Sequence, residues 1–299
     1  MTQSLQGTGE EWRAMDDGAA HYRSDAASQQ ILAQAKANIP KLRMRDVEMR
    51  IVGRDGKPRA NLPVQVVQTQ QAFKFGDNTW NLDRLYRKNE GDLDHAYYWK
   101  KRFSDVLNAA NALCYWTERP RNDGPKSEDI LGRPQMEYFA KIVEWALGEG
   151  LTVKGHPLFW SIQKAVPDWV MRYDYDTQMK FLEVRIRSIV SRFKGKVTMW
   201  DAINEPMWEP AFKNLARRNW PHIDPIKDIA DYIEPVLRWC REEDPDACYT
   251  INDYGLEADK KEGKLLAADG SEVSAARQRK RFLELMAELA DRGTPPDAL

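Results

Sequence analysis

The stretch that decides the fold is Trp200-Asp201-Ala202-Ile203-Asn204-Glu205-Pro206, where a strand-like apolar run ends in two polar residues and a proline. The runs 154–160 and 250–254 end in a similar way, with polar and aromatic residues after an apolar stretch. Between such runs, apolar residues recur every three or four positions over 136–146, 179–193, 226–240 and 282–289, as in helices that pack on a flat surface. Strands that alternate with helices predict βα units around a parallel sheet.

Five strand candidates follow from this pattern: 72–76, 106–115, 151–160, 196–203 and 247–253. Such units fit either an eight-stranded barrel or an open doubly wound sheet. No G-x-G-x-x-G or P-loop signature follows the first strand, which favours the barrel. We therefore expect an α/β fold of the (β/α)₈ TIM-barrel type over 71–299, incomplete because only about five βα units are present.

The N-terminal part reads differently. Residues 1–40 form a polar segment in which 31–39 are expected to be a short helix ended by Pro40, since proline interrupts helical hydrogen bonding. Over 41–70, alternating apolar residues flank Asp55-Gly56, which predicts a β-hairpin that leads into the barrel. Residues 1–25 contain no apolar stretch typical of a secretory signal, so the sequence leaves the localisation open.

Composition excludes several function classes. The 299 residues contain 45 Lys and Arg against 46 Asp and Glu, for a net charge of −1, which argues against a nucleic-acid partner. No window of about 18 apolar residues indicates a membrane partner. The 3 cysteines are far apart in the sequence and no histidines have metal-ligand spacing, so neither a disulfide framework nor a metal or other cofactor is expected.

The strand ends carry the candidate chemistry, because catalytic groups of β/α barrels lie at the carboxyl ends of the strands. A glycosidase needs a carboxylic acid that stays protonated beside the glycosidic oxygen, and a polar group that holds the sugar 2-hydroxyl. Asn204 and Glu205 supply both groups from adjacent positions. The alternative interpretation is structural: Asn204 caps the next helix and Pro206 occupies its first position.

Three motifs resemble those of a known family. Gly155-His156-x-x-x-Trp160, the stretch 200–205 and Asn252-Asp253-Tyr254 are similar to the third, fourth and fifth strand motifs of glycoside hydrolase family 10, the endo-β-1,4-xylanase type. Residues 73–76 resemble that family's first strand. The resemblance covers about residues 45–299, and the three motifs occur in the family's order and spacing.

The resemblance implies a (β/α)₈ barrel that hydrolyses a β-1,4-linked plant polysaccharide through a glycosyl-enzyme intermediate, with retention of configuration. Glu205 would be the general acid and base. The side chains that would contact the sugar are Asn204, at its 2-hydroxyl, with His156, Trp160 and Gln163. Trp116, at a strand end, is a further candidate as a stacking platform, and Trp208 is another. The expected partner is a poly- or oligosaccharide bound by a monomer, and the family resemblance suggests secretion.

Two departures leave alternatives open. The family's second strand carries Glu-Asn-Glu-x-Lys, whereas residues 109–116 lack the leading glutamate and the lysine, and Ser161 stands where the family usually has histidine. A β-glucanase or mannanase therefore remains an alternative to a xylanase.

A further departure concerns the nucleophile, which in this family is a glutamate at the end of the seventh strand. Residues 293–299 read as the entry to the sixth strand, and nothing marks Glu118 or Asp253, at other strand ends, as a nucleophile. We interpret the chain as a fragment of a longer enzyme that lacks the nucleophile. The alternative is a non-catalytic carbohydrate-binding protein.

Overall fold

The computed structural model describes residues 26–42, 44, 46, 48–67, 69, 71–82, 93–116, 127–129, 132–215, 223–257, 265–267 and 270–299. The chain divides into two compact units, Met1–Thr69 and Gln70–Leu299. Each unit is described below by itself.

The described part of the first unit begins with helix α1, Ala26–Leu42. It is longer than the helix expected over 31–39, and the prediction that Pro40 ends it was wrong, because the helix continues for two residues past the proline. Pro40 cannot donate to the carbonyl group four residues before it, so the helix lacks one hydrogen bond there, but the backbone stays helical through Leu42.

A tight turn at Asp55-Gly56 follows in the first unit. Gly56 has a φ of 73°, a left-handed conformation that glycine adopts without strain. The backbone N–H of Gly53 donates to Lys57 O at 2.9 Å, and Val52 forms an antiparallel bridge with Pro58. Within the described residues of 41–69, antiparallel pairing extends no further than this turn.

The second unit is built on a parallel sheet. Its strands are β1 (Gly76–Asn78), β2 (Ala109–Leu113), β3 (Thr152–His156), β4 (Phe159–Trp160), β5 (Met199–Asn204) and β6 (Cys248–Asn252). β1 pairs with β2 and β2 with β3. β3 and β4 pair with successive parts of β5, so they occupy one position in the sheet, and β6 pairs with β5 on its other side. All of these pairings are parallel, as the alternating pattern predicted.

Five α-helices of this unit have both ends within the described residues: α2 (Leu93–Val106), α3 (Glu137–Gly148), α4 (Tyr175–Arg192), α5 (Ile226–Glu243) and α6 (Ala275–Asp291). Two short strands, β7 (Leu265–Leu266) and β8 (Glu272–Val273), form a separate antiparallel pair. The helices bury their apolar faces; for example, the Phe139 ring of α3 stacks on Trp200 of β5 with centroids 5.9 Å apart. Parallel strands and helices alternate as in a TIM barrel, but the described sheet does not close on itself.

The predicted strand bounds needed two corrections. The first strand lies at Gly76–Asn78 and not at 72–76. The second begins at Ala109 and not at 106, because Val106 still belongs to α2.

At the other end of the chain, Ala298 forms a parallel bridge with Thr250, and Asp297 N donates to Tyr249 O at 2.9 Å. Residues 297–298 therefore take the sheet position next to β6, as expected for the entry to a sixth strand.

None of the described helices combines the length and the apolar character that a membrane crossing requires.

Candidate active site

The three predicted motifs meet at the carboxyl edge of the sheet. The parallel register sets Trp160 of β4 beside Asn204 of β5, and Asn204 beside Asn252 of β6. Glu205 follows directly, and its backbone N–H donates to Asn252 O at 2.8 Å. Since barrel enzymes place their chemistry at this edge, the arrangement is that of a candidate active site.

Glu205 has an unusual backbone conformation. Its φ is 55°, in the left-handed region that costs free energy for a residue with a side chain. Such conformations persist where the surrounding structure enforces them and are concentrated at functional sites. The residues directly after Glu205 form a turn, and the next α-helix in the described part of the chain begins at Ile226. The alternative interpretation, with Asn204 as a helix cap, was therefore wrong: Asn204 is the last residue of β5.

The carboxyl group of Glu205 is half-buried, and burial raises its pKa above the usual value. The positive charges of Lys164 and His156 act against this effect, as do the neighbouring Asn204 amide and Trp160 indole. The Trp160 N–H lies beside the carboxyl group, but its geometry falls short of a full hydrogen bond. The net result is a carboxylic acid that retains its proton to a higher pH than an exposed glutamate, as a general acid requires.

His156 is held by a buried carboxylate. Its Nδ1 lies 2.7 Å from Oδ2 of Asp201, whose exposed fraction is only 1%. The other oxygen, Oδ1, contacts Lys154 Nζ at 2.8 Å and accepts from Thr250 Oγ1 at 2.6 Å. Burial opposes ionisation of Asp201, but the hydrogen bond and charge of His156, together with Lys154, lower its pKa overall. Asp201 is therefore a carboxylate with both oxygens engaged.

Two further carboxyl groups lie near Glu205. Glu209 is 6% exposed and sits one turn along, where its N–H contacts Glu205 O at 3.3 Å. Burial and then the negative charge of Glu205 raise the pKa of Glu209 to about 7. Burial likewise raises the pKa of Asp253 to about 7, although its oxygens accept the N–H groups of Met207 and Tyr254, each at 2.8 Å.

The aromatic candidates have different environments. Trp160 is partly exposed, with the Lys164 ammonium 4.7 Å from its ring centroid. Trp116 is only 3% exposed and lies against the buried guanidinium of Arg185, 5.5 Å from the ring centroid. Trp208 is also 3% exposed and stacks on Tyr254, with centroids 5.2 Å apart. Neither Trp116 nor Trp208 presents an open face to a ligand, so these two placements do not support a stacking platform.

The structure thus brings Asn204, Glu205, His156 and Trp160 together, and it places Gln163 on the exposed surface of the loop after Trp160. Glu118 lies outside the described residues. Sequence reasoning assigned no role to Asp201, Lys164 or Glu209. Glu209 could have been noticed because it lies four residues after Glu205, whereas Lys164 carries no sequence signal beyond its position after Gln163. Within the described ranges, no group of three or more His, Cys, Asp or Glu side chains is arranged to hold a metal ion.

A parallel β/α sheet with carboxyl, amide, imidazole and indole groups at its carboxyl edge is the arrangement of a TIM-barrel glycosidase. Residues 71–298 match the family model of Glycosyl hydrolase family 10. The chain belongs to this family.

Curated relatives and solved structures agree with this assignment. Endo-1,4-beta-xylanase C of Paenibacillus barcinonensis is 34% identical over 173 residues, which are 53% of this chain and 14% of the relative. Endo-1,4-beta-xylanase B of Thermotoga neapolitana is 29% identical over 62% of this chain and 47% of the relative. The anti-sigma-I factor RsgI6 of Acetivibrio thermocellus is 28% identical over 75% of this chain and 26% of the relative. The chain thus spans less than half the length of each of these three proteins.

Two solved structures share the fold. A GH10 endoxylanase from a sugarcane soil metagenome superposes with a TM-score of 0.54 at 18% identity, covering 75% of this chain and 56% of the other. Xylanase 10B from Thermotoga petrophila RKU-1, in complex with xylobiose, gives a TM-score of 0.50 at 23% identity, covering 74% and 57%. At these identities the likeness establishes the fold alone.

Proposed function

We propose that this chain carries the acid/base side of the substrate cleft of a retaining β-1,4-xylan hydrolase, with Glu205 as the general acid and base. The observation that carries the proposal is the position of Glu205. Its half-buried carboxyl group stands at the carboxyl edge of the sheet in a left-handed backbone conformation. Burial raises its pKa, so that it keeps the proton that a leaving oxygen needs to a higher pH than an exposed glutamate does.

The neighbouring side chains are suited to hold a sugar. Asn204, directly before Glu205, would bind the 2-hydroxyl, while His156 and Trp160 would line the sugar next to the scissile bond. Gln163, on the loop after Trp160, would contact the substrate from the exposed side. We leave Trp116 out of this set because its ring is buried against Arg185.

A retaining mechanism also needs a nucleophilic carboxylate, about 5–5.5 Å from the acid. The described carboxyl groups that interact with Glu205 are Glu209 and Asp253. Both oxygens of Asp253 accept backbone N–H groups, and Glu209 is buried, so neither is suited to attack a sugar. We propose that the nucleophile is not among these described carboxyl groups.

Xylan is the proposed substrate because the relatives named above include two endo-1,4-beta-xylanases. A second candidate is a carbohydrate-binding role without turnover, which is favoured because neither Glu209 nor Asp253, the described carboxyl groups that interact with Glu205, is suited to act as a nucleophile. Both candidates predict that the chain binds xylo-oligosaccharides. They differ in whether a polypeptide that extends beyond residue 299 hydrolyses xylan.

Substitution of Glu205 tests the acid/base role in such an extended polypeptide. We expect Glu205→Ala to lose about 10²–10⁴-fold in kcat/KM on phenyl β-xylobioside, whose leaving group needs protonation. With 2,4-dinitrophenyl β-xylobioside, whose leaving group needs no proton, the formation of the glycosyl-enzyme should change far less. The measurement is steady-state and burst kinetics on both substrates.

Azide provides the second readout, since it can replace the missing general base in the second step and restore turnover as a β-xylobiosyl azide. The matched control is Glu149→Gln, an exposed glutamate after α3, which should behave as the wild type. Equal losses on the two aryl substrates, without rescue by azide, would rule out Glu205 as the acid and base.

A further inference from the structure

Asp201 is the centre of a network of polar contacts that has no part in the roles proposed above. Asp201 lies in the middle of β5 and is 1% exposed, whereas His156, at the end of β3, keeps 14% of its side-chain surface exposed. The contact of 2.7 Å between Nδ1 of His156 and Oδ2 of Asp201 therefore links a fully buried group to one that a ligand can reach.

The second oxygen of Asp201 determines what this contact does. Oδ1 already receives the ammonium group of Lys154 at 2.8 Å and the hydroxyl of Thr250 at 2.6 Å. Because Lys154 balances the charge of the carboxylate, Asp201 does not require a second cation on its other side. A proton on Nδ1 that is directed at Asp201 orients the ring, and in this tautomer of the neutral imidazole Nε2 is a hydrogen-bond acceptor.

We propose that Asp201 and Lys154 are positioning residues of the sugar cleft: Lys154 and Thr250 hold Asp201, and Asp201 holds His156 in the tautomer whose Nε2 accepts a hydrogen bond from a sugar hydroxyl. The proposal rests on the proposed function, because it takes a sugar hydroxyl as the donor to Nε2 of His156. Other groups that face His156 are the carboxyl group of Glu205 and the ring of Tyr115, whose centroid lies 5.8 Å away.

The tautomer can be observed without any turnover. The chain has 4 histidines, so a long-range ¹H–¹⁵N spectrum of ¹⁵N-histidine-labelled protein contains few signals, and His156→Gln assigns the one of interest. At pH 8 we expect His156 to carry its proton on Nδ1. Asp201→Asn should convert this signal to a mixture of tautomers. Lys154→Met should also change the His156 signal, because Asp201 then lacks the cation that contacts its Oδ1.

Affinity for xylotriose, measured by calorimetry, tests the consequence. Asp201→Asn and His156→Gln should each weaken binding about fivefold, the effect of one hydrogen bond. The double variant should bind no more weakly than either single variant, because Asp201 acts through His156. The matched control is Asp244→Asn, another buried aspartate that accepts a backbone N–H, from Gly195, at 3.1 Å; it should leave both readouts unchanged.

The possible results distinguish a failure of the positioning role from a failure of the sugar contact. Losses that add in the double variant, or a proton on Nε2 in the wild type, would overturn the positioning role. Lys154→Met keeps the test valid if Asp201→Asn does not fold, since the Lys154 side chain is 33% exposed; an unchanged His156 signal in this variant would also overturn it. No affinity of the wild type for xylotriose, together with the Nδ1 tautomer, would reject the proposed function and the sugar contact while the geometry stands.

Discussion

At the scale of single residues, the protonation of Glu205 is set by opposing effects. Burial favours the neutral acid, whereas the ammonium group of Lys164 is the first of several groups that favour the carboxylate. Lys164 is exposed and makes a cation–π contact with Trp160 at 4.7 Å, so it can be replaced without opening the core. A substitution of Lys164 therefore changes the charge near Glu205 and leaves the Glu205 carboxyl group itself in place.

We predict that Lys164→Met raises the pKa of Glu205 further, because an opposite charge has been removed from a partly solvated site. The carboxyl ¹³C signal of Glu205, assigned with Glu205→Gln and followed from pH 3 to 9, measures this change directly. Lys100→Met is the matched control, since Lys100 also lies over an indole, that of Trp145 at 5.9 Å. A Glu205 titration that moves to lower pH in Lys164→Met would contradict the prediction.

At the scale of elements, the contact between β3 and β5 explains the glycine of the Gly155-His156 motif. Gly155 pairs with Trp200, and a Cβ atom on Gly155 would lie 2.1 Å from the Trp200 ring. Trp200 is fully buried and in turn stacks on Phe139 of α3, so the ring has no room to move. The glycine thus allows the sheet to pack its largest side chain directly beneath the site.

We predict that Gly155→Ala destabilises the chain by about 3 kcal/mol, at the upper end of the usual cost of overpacking. Thermal and urea unfolding measure the loss, and circular dichroism establishes that the variant has folded. Combination with Trp200→Phe, which removes part of the ring, should recover part of the stability. Gly148→Ala serves as the control, because no atom lies within 4 Å of the added Cβ. A Gly155→Ala variant as stable as this control would show that the contact is not tight.

The order of the elements was easier to predict from the sequence than their bounds. The alternation of helices and parallel strands was predictable because apolar periodicity records it, and the order of the three strand-end motifs implied that Asn204, Glu205 and His156 lie together. The start of β2 was not predictable: Val106 has strand propensity, but α2 continues there, and Leu107 N donates to Phe103 O at 2.9 Å. Local hydrogen bonding outweighed propensity.

The environment of a side chain was harder to predict than its place on an element. Trp116 follows a strand, as a stacking platform would, yet the guanidinium of Arg185, from α4, covers its ring. The role of Asp201 depends on Lys154 and Thr250, which reach it from strands on both sides. These contacts join positions that are remote in the sequence, so no local pattern records them.

At the scale of the whole molecule, the carboxyl groups of the site make folding stability depend on pH. Glu209 and Asp253 each have a pKa raised to about 7, in both cases first by burial. In the unfolded chain the same groups titrate near their ordinary values, about 4.3 for glutamate and 3.9 for aspartate. Between these limits the folded state binds more protons than the unfolded state, so stability falls as the pH rises.

We predict that Glu209→Gln removes part of this dependence. The protonated carboxyl of Glu209 favours the folded state fully below about pH 4, and this contribution disappears as the pH rises through about 7. Glutamine cannot ionise, so the variant should match the wild type at pH 4 and exceed its free energy of unfolding by about 3 kcal/mol at pH 8. Urea unfolding at both pH values measures the difference, with the exposed Glu149→Gln as the control. A variant that matches the wild type at pH 4 but is less stable than it at pH 8 would have the opposite sign, and it would mean that Glu209 is ionised in the folded chain and stabilised there by Lys164.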